Sequence, residues 1–330
     1  RRDHLRGEYA SVTTRMTPQC GICTAIWQWL TSDDAPSPLD APRDERIDWL
    51  RAFPFIGLHV ACFGVFAVGF SWIALGACLA FYLLRMFFVT GFYHRYFSHR
   101  SFRTSRAFQF TIAALGCTAG QRGPLWWAGH HRHHHGHADE HEDAHSPDRH
   151  GLLWAHTGWF LTRGNYPTPW RYVRDWSRYP ELRWLNRLDW LPLTLFAAGT
   201  WALGAWLAAA APGLGTNGPQ MLVWGFFVST VLLYHGTYTI NSLAHRFGRR
   251  RFSTRDSSRN NFWLSLVTLG EGWHNNHHHY PATARQGFYW WELDPTWYAL
   301  TALSWTGLIR DLRPVPSAVL EHRRIDAGSD

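Results

Sequence analysis

The sequence contains no lysine: all 32 of its Lys and Arg residues are arginine, and with 24 acidic residues they leave a formal charge of +8. That balance suits anionic lipid headgroups or an acidic ligand. The arginines flank apolar runs and no nucleic-acid-binding motif accompanies them, so a nucleic-acid partner is not expected. Cysteine is sparse, five in 330 residues, and its spacing gives no disulfide framework. Cys20 and Cys23 form a lone Cys-x-x-Cys with no second pair or spaced histidines nearby to complete a zinc site. They read as reduced thiols in an N-terminal arm. Cys62, Cys78 and Cys117 fall in apolar runs and read as small buried hydrophobes. The first 52 residues lack a basic start followed by an apolar core and a cleavage site, so no signal peptide is expected. No internal repeat is present.

Aromatic residues, by contrast, make up 16% of the chain, with 21 tryptophans. Membrane interfaces enrich tryptophan in this way. The mean hydropathy of −0.26 averages long apolar runs with Arg-rich and His-rich segments. Pro54 to Phe92 is a run of 39 residues with one formal charge, Arg85. A crossing needs about 20 residues, so the run predicts two spans, about 54–70 and 72–92, broken near Gly69 and Ser71. Leu191 to Ala244 carries no formal charge and is interrupted by the turn-rich stretch Pro212 to Pro219. It predicts spans at 191–211 and 221–241. The expected fold is all-α and integral to a membrane, with four transmembrane helices as two hairpins.

Orientation follows from arginine. Both hairpin turns lack it, whereas Arg95, Arg100, Arg103 and Arg106 follow the first hairpin, and Arg246, Arg249, Arg250 and Arg251 follow the second. The positive-inside rule then places both termini and the central segment, roughly 94–188, in the cytoplasm. We divide the chain into an N-terminal arm (1–52), a membrane domain (53–294) with a cytoplasmic helical cap, and a C-terminal tail (295–330). Within the central segment, Phe108 to Gly120 is apolar enough to lie on the membrane surface, and Trp126, Trp127, Trp154 and Trp159 suit an interface.

Three histidine clusters stand beyond these spans: His94 and His99, then 131–135, then 274–278. His131, His134 and His135 are spaced i, i+3, i+4, which puts them on one helical face; His274, His277 and His278 repeat the pattern. His130, His133 and His134 have the same spacing, and His279 could replace a neighbour. His94 and His99, five apart, splay on a regular helix, so they bind different metals or the helix end unwinds. His245 ends the fourth span, with Asn241 one turn before it. Nine imidazoles exceed what one four-coordinate zinc uses and suit two metals of four or five ligands each. Imidazole serves iron, zinc, copper and nickel alike. At a membrane edge, beside an apolar path, such an array favours redox chemistry on a lipid. Asp139, Glu140, Glu142, Asp143 and Glu271 are candidates to accept the outer N–H of these rings. His4, His59, His150, His156 and His322 stand alone and receive no role.

The motifs His-Arg-x-x-Ser-His-Arg-Ser-Phe at 94–102, His-Arg-x-His-His at 131–135, Asn-Ser-x-Ala-His at 241–245 and Gly-Glu-Gly-Trp-His-Asn-x-His-His at 270–278 resemble those of the membrane fatty-acid desaturases, in the branch of acyl-CoA and bacterial acyl-lipid delta-9 enzymes. The resemblance covers about 90–165 and 238–294. It implies His94, His99, His131, His134, His135, His245, His274, His277 and His278 as ligands of two iron ions. It places Asn241 near one metal through water, and His141 and His145 in supporting positions. It further implies O2-dependent desaturation of a saturated fatty-acyl chain held in a bent tunnel, with membrane lipid around it in a bacterial inner membrane. The electrons would come from a separate donor, a ferredoxin or a cytochrome with a flavin reductase, because neither terminal arm has room for a haem domain. Acyl-CoA members often carry Arg-Asp directly before the second box; here Gly129 and His130 stand there, leaving both acyl-CoA and acyl-phospholipid open. The competing readings are a di-iron lipid hydroxylase, a His-rich metal transporter or sensor, which would want more polar residues inside the spans, and a silent lipid-binding relative.

Overall fold

The structure, a computed structural model, describes Thr31 and residues 44–325; Cys20 and Cys23 lie outside these. Four helices are long and apolar enough to cross a membrane: Trp49–Val68, Trp72–Ser98, Trp190–Ala210 and Gly218–His245. All four are longer at the end that carries the histidines, or begin earlier, than hydropathy alone indicates. The first starts at Trp49, with Asp48 accepting from Arg51 N, and takes Pro54 into its second turn. Gly69, at φ 72°, ends it in a conformation that favours glycine. Ser71 then caps the second span by accepting from Ala74 N at 3.3 Å, so the break falls where the sequence placed it. Asn217 caps the fourth span in the same way, accepting from Gln220 N at 2.9 Å.

The fourth span is the central one, in contact with the other three. It is 56% buried, against 6% for the first and 11% for the third. The third and fourth spans approach closely because Gly204 has no side chain: a Cβ there would stand 2.4 Å from the Asn217 carbonyl oxygen. Arg85, fully buried, knits the bundle together. Its guanidinium donates to Thr230 Oγ1 at 2.8 Å, Ser229 Oγ at 2.7 Å and the Thr118 carbonyl at 3.2 Å, and stacks over Phe196. This satisfies a cation that would otherwise be costly inside a bilayer.

At the histidine end short helices alternate with irregular segments, and a β-pair joins Arg103–Thr104 to Ile309–Arg310. The helix Arg106–Cys117 buries Gln109, Ile112 and Ala113. Its apolar stretch serves a core as well as a surface. That core gathers Phe92, Tyr93, Phe97, Leu125, Leu182 and Leu300, among others, each large side chain contributing about 1.5–3 kcal/mol by burial. Residues 295–325, read from sequence as a tail, are part of this unit. The helix Pro295–Trp305 buries Leu300, Ile309 is buried in the β-pair, and Arg324 bridges to Phe252. Polar termini hid this, because the apolar contacts are few and widely spaced. Trp126 and Trp159 are likewise buried rather than interfacial, packed against His130 and, for Trp159, also His145.

Candidate metal centre

The second span ends in a π-helical stretch, Phe88–Ser98. Its wider turn closes i→i+5 bonds, and so returns His94 and His99 to one side, with ring centroids 4.9 Å apart. The five-residue spacing that splays them on an α-helix is thus resolved by the helix type, and both rings enter the same group. The box-two helix, Pro124–His137, has no side-chain cap of its own. Asn186 Oδ1 takes its free N–H groups instead, from Leu125 at 3.1 Å and Trp126 at 2.8 Å. Arg132 fastens this helix to the first box: it donates to the carbonyls of Ser98 and Phe97, both at 2.7 Å, and pairs with Asp175 at 2.8 Å. Box three, His274–His279, is held through its asparagines. Asn275 Oδ1 accepts from the backbone of Arg251 and Phe252, both at 2.8 Å, and Asn276 Nδ2 donates to Glu292 at 2.9 Å.

These elements bring nine imidazoles into two groups. His94, His99, His131, His135 and His277 form one; His134, His245, His274 and His278 form the other. Within each, one ring nitrogen per residue lies within 4.8 Å of every other. Nitrogens face each other directly: His94 Nε2 and His277 Nε2 at 3.0 Å, His99 Nε2 and His131 Nε2 at 2.8 Å, His245 Nε2 and His274 Nε2 at 3.0 Å. Carboxylates sit behind four of the rings. Glu271 contacts His94 Nδ1, Asp143 lies 3.0 Å from His134 Nδ1, Asp139 3.2 Å from His245 Nδ1 and Asp256 2.9 Å from His278 Nδ1. A carboxylate accepts only, so it fixes the proton on Nδ1 and turns the Nε2 lone pair inward. Facing lone pairs repel unless a cation lies between them. His274 Nδ1, His277 Nδ1 and His278 Nε2 are buried with no hydrogen-bond partner. The donor set therefore fits two metal ions, with five imidazoles at one and four at the other.

The electrostatics agree. Burial, reinforced by neighbouring imidazoles, pushes His99, His131, His135, His274 and His277 well below the ordinary histidine pKa, leaving neutral rings with free lone pairs. His134 is the exception: burial opposes its charge, but Asp143 outweighs burial and raises it. Burial also works against ionisation of Asp139, Asp143, Asp256 and Glu271. The facing imidazoles nonetheless hold all four below the usual carboxylate range.

Other expected residues divide. Asn241 lines the cavity beside His131, His134 and His274. His145 is buried 4.4 Å, ring to ring, from His134, and burial pushes it down to about 3. His141 is exposed and falls in none of the metal-competent groups among the described residues. The turn at Asp139, with φ 60°, ends the box-two helix and carries His141 out to solvent. Glu140 and Glu142 are exposed beside His137 and face away from the rings. The alternative register fails: His130 Nε2 meets the Pro167 carbonyl, and His133 packs on Tyr172. His279 stacks on Phe252 instead. Sequence reasoning missed Asp256, Gln286, which lies 3.2 Å from His94 Nδ1, and Asp294, which pairs with buried Arg95 at 2.9 Å. It also left His59 and His156 alone, whereas both bond to His235.

An apolar cavity of about 240 Å³ reaches the imidazoles, lined by Arg51, Arg122, Tyr166, Trp159, Tyr238 and Asn241 among others. A smaller one of about 40 Å³ continues past His94 and His274 to Met86 and Val89. The two share Trp127, His131, Thr237 and Asn241. At their junction Gln121 Nε2 donates to Thr237 Oγ1 at 2.9 Å.

A four-span helical protein with a buried imidazole cluster beside an apolar channel is built to act on a lipid chain. Residues 70–305 match the family described as fatty acid desaturase. The chain is 37% identical over 280 residues to the sn-2 palmitoyl-lipid 9-desaturase of Nostoc sp., covering 80% of this chain and 93% of that protein. It is 34% identical over 272 residues to the sn-1 stearoyl-lipid 9-desaturase of Anabaena variabilis, covering 81% and 94%. It is 35% identical over 293 residues to an acyl-CoA C20 Delta5-desaturase of Anemone leveillei, covering 86% and 89%. The chain belongs to the fatty acid desaturase family; it is an integral membrane oxidoreductase that desaturates fatty-acyl chains.

Proposed function

We propose that the protein introduces a delta-9 double bond into a saturated acyl chain of a membrane glycerolipid, using two iron ions held by the nine histidines. The balanced reaction takes O2, two electrons and two protons, removes two hydrogens from adjacent methylenes, and releases two waters. The observation that carries the reading is the five-plus-four convergence of imidazole nitrogens beside an apolar channel. Bound iron would supply the activation of O2. The protein's own groups do the rest. The channel wall holds the chain and excludes water, Gln121 and Thr237 brace the wall where the two cavities meet, and the wall sets one C–C bond beside the imidazoles. Asp139, Asp143, Asp256 and Glu271 hold the rings in register. Asn241, which lines the cavity shared by both imidazole groups, would act on one ion through water.

The lipid substrate is favoured by relatives named as lipid 9-desaturases. The electrons come from a separate protein donor, a ferredoxin or a cytochrome served by a flavin reductase. The arginine distribution supports a cytoplasmic location for the centre and both termini, in a bacterial inner membrane. The test is expression in a host lacking its own desaturase, with iron and a donor supplied, followed by fatty-acid and headgroup analysis. Appearance of a delta-9 monoenoic chain on glycerolipid is expected. A hydroxylated chain would establish the hydroxylase reading instead, and no new species would refute both.

A further inference from the structure

The desaturase site leaves one polar cluster unused. His59 on the first span, His235 on the fourth and His156 on the short helix Trp154–Gly158 form a chain. His59 Nε2 lies 3.1 Å from His235 Nε2, His235 Nδ1 lies 2.9 Å from His156 Nε2, and His156 Nδ1 lies 2.9 Å from Ser242 Oγ. At the other end His59 Nδ1 lies 2.7 Å from the Phe55 carbonyl. That carbonyl only accepts, so His59 Nδ1 donates to it; with neutral rings, His235 Nε2 then donates to His59 and His156 Nε2 donates to His235, while the single Ser242 hydroxyl hydrogen is shared between His156 Nδ1 and the Tyr238 carbonyl at 3.0 Å. Each ring is neutral, giving one hydrogen and accepting one. The nitrogens are strung in a line and do not converge on a point, and among the described residues these three form no metal-competent group. The cluster is a hydrogen-bonded tie, about 15 Å along the fourth span from His245 at 1.5 Å per residue.

The tie lies directly behind one wall of the channel. His59 packs on Phe55 with ring centroids 4.4 Å apart, and His156 and His235 lie 5.8 and 6.3 Å from the ring of Tyr238; Phe55 and Tyr238 both line the cavity. The wall itself is aromatic, with Phe55 on Tyr234 at 5.9 Å and Phe160 on Tyr238 at 4.9 Å. All three histidines are half-buried. The first span is held at its ends, by Asp48 N on the Leu161 carbonyl and by Gln220 and Trp224 on the carbonyls of Val68 and Gly69. Between those ends, among the described residues, its side-chain hydrogen bond to another span is the one from His59. Most of its surface is otherwise exposed.

We propose that the His59–His235–His156 chain is the latch of a lateral portal between the first and fourth spans, through which a glycerolipid acyl chain enters and leaves the channel. The inference rests on the lipid-substrate reading above. A glycerolipid keeps its second chain in the bilayer, so the reacting chain cannot be threaded in from the aqueous side and must swing in through a wall that faces lipid. This wall is closed by packed aromatics, which separate without losing hydrogen bonds, by one interspan imidazole contact, His59 to His235, and by the contact of His156 with His235. In hydrocarbon, unmade polar contacts are costly, which keeps the latch shut when no lipid passes.

The test locks the seam. In a Cys62→Ser background, His59→Cys and His235→Cys are combined, the enzyme is loaded with saturated glycerolipid in membranes, and the introduced cysteines are cross-linked. The first turnover should survive, and steady-state turnover should fall about tenfold or more because release is blocked. Reduction should restore it. Undiminished steady-state turnover overturns the portal. So does loss of the first turnover from preloaded enzyme, which would assign the histidines to chemistry or folding. A second variant, His235→Leu, should speed departure of preformed product several-fold in a pulse–chase; unchanged or slower departure overturns the proposal. Unmodified enzyme assayed in parallel separates the two readings: if it desaturates only thioester-linked chains, the lipid-substrate reading fails whatever the cross-link does.

Discussion

Asp256 Oδ2 lies 2.9 Å from His278 Nδ1, the same arrangement that Asp143 makes with His134. The carboxylate holds the ring's proton outward and raises the basicity of the nitrogen that faces the other imidazoles. Asp256→Ala should therefore lower metal occupancy or activity by about 10–100-fold, the usual loss when such a partner is removed, measured as iron per chain and product per iron. His134→Ala removes a ring of the four-imidazole group and should abolish activity while the protein stays in the membrane. Equal activity in either variant would contradict the assigned roles.

Much of this arrangement could be read from the chain. The four spans and the Gly69–Ser71 break follow from hydropathy and turn chemistry, because lipid-facing surface must be apolar throughout. Two of the three boxes were legible because i, i+3, i+4 spacing fixes a face of an α-helix. The first box resisted that reading, since nothing in Phe88–Ser98 advertises a π-helix. The residues that support the centre from a distance were least legible. Asp256, Gln286 and Asp294 lie in irregular segments where no periodicity links a side chain to its partner. His59, His235 and His156 are separated by 79 and 176 positions from the rings they bond. Only packing of the first span against the fourth brings them together.

Acid should empty the centre. Five of the imidazoles are pushed well below their ordinary pKa of 6.5 by burial and by one another. The folded state thus binds fewer protons than the unfolded one at any pH below about 6.5. Stability and metal affinity are then full above that value and fall as pH drops through it, since metal binding also requires unprotonated rings. Iron retention and thermal unfolding measured from pH 7.5 to 5 should both decline, with no comparable change from 7.5 to 8.5. A flat profile would mean that the rings are not held neutral by the fold.

The channel's inner end should set chain length. Met86 is fully buried and lines the smaller cavity beyond the imidazoles, with Val89 beside it. Met86→Ala lengthens this end, so longer acyl chains should gain about 0.8 kcal/mol per additional buried methylene. Competition between saturated chains of two lengths, read from the ratio of unsaturated products, should shift several-fold toward the longer one. The position of the double bond, counted from the carboxyl end, should not change, because the larger cavity on the other side of the imidazoles is untouched. A shift in bond position would instead place the chain in the opposite direction through the channel.

Arg95 joins the centre to the C-terminal region. Its guanidinium is fully buried and meets Asp294 through two donors at 2.9 and 3.1 Å, Glu271 at 3.1 Å and the Ala284 carbonyl at 2.7 Å. Asp294 also caps the helix Pro295–Trp305 by accepting from Trp297 N at 2.9 Å, and Glu271 contacts His94. One cation thus aligns a metal-facing ring with the segment that sequence reading took for a tail. Arg95→Met keeps the bulk but strands two buried carboxylates, a loss of about 3–5 kcal/mol. Arg95→Lys keeps the charge but cannot span both carboxylates with a planar fork, and should lose less. Thermal unfolding in detergent should rank wild type above Arg95→Lys above Arg95→Met. Iron content should fall in the same order, because Glu271 freed from Arg95 no longer holds His94 in place. If stability falls while iron content does not, Arg95 supports the fold alone and the link to His94 is not functional.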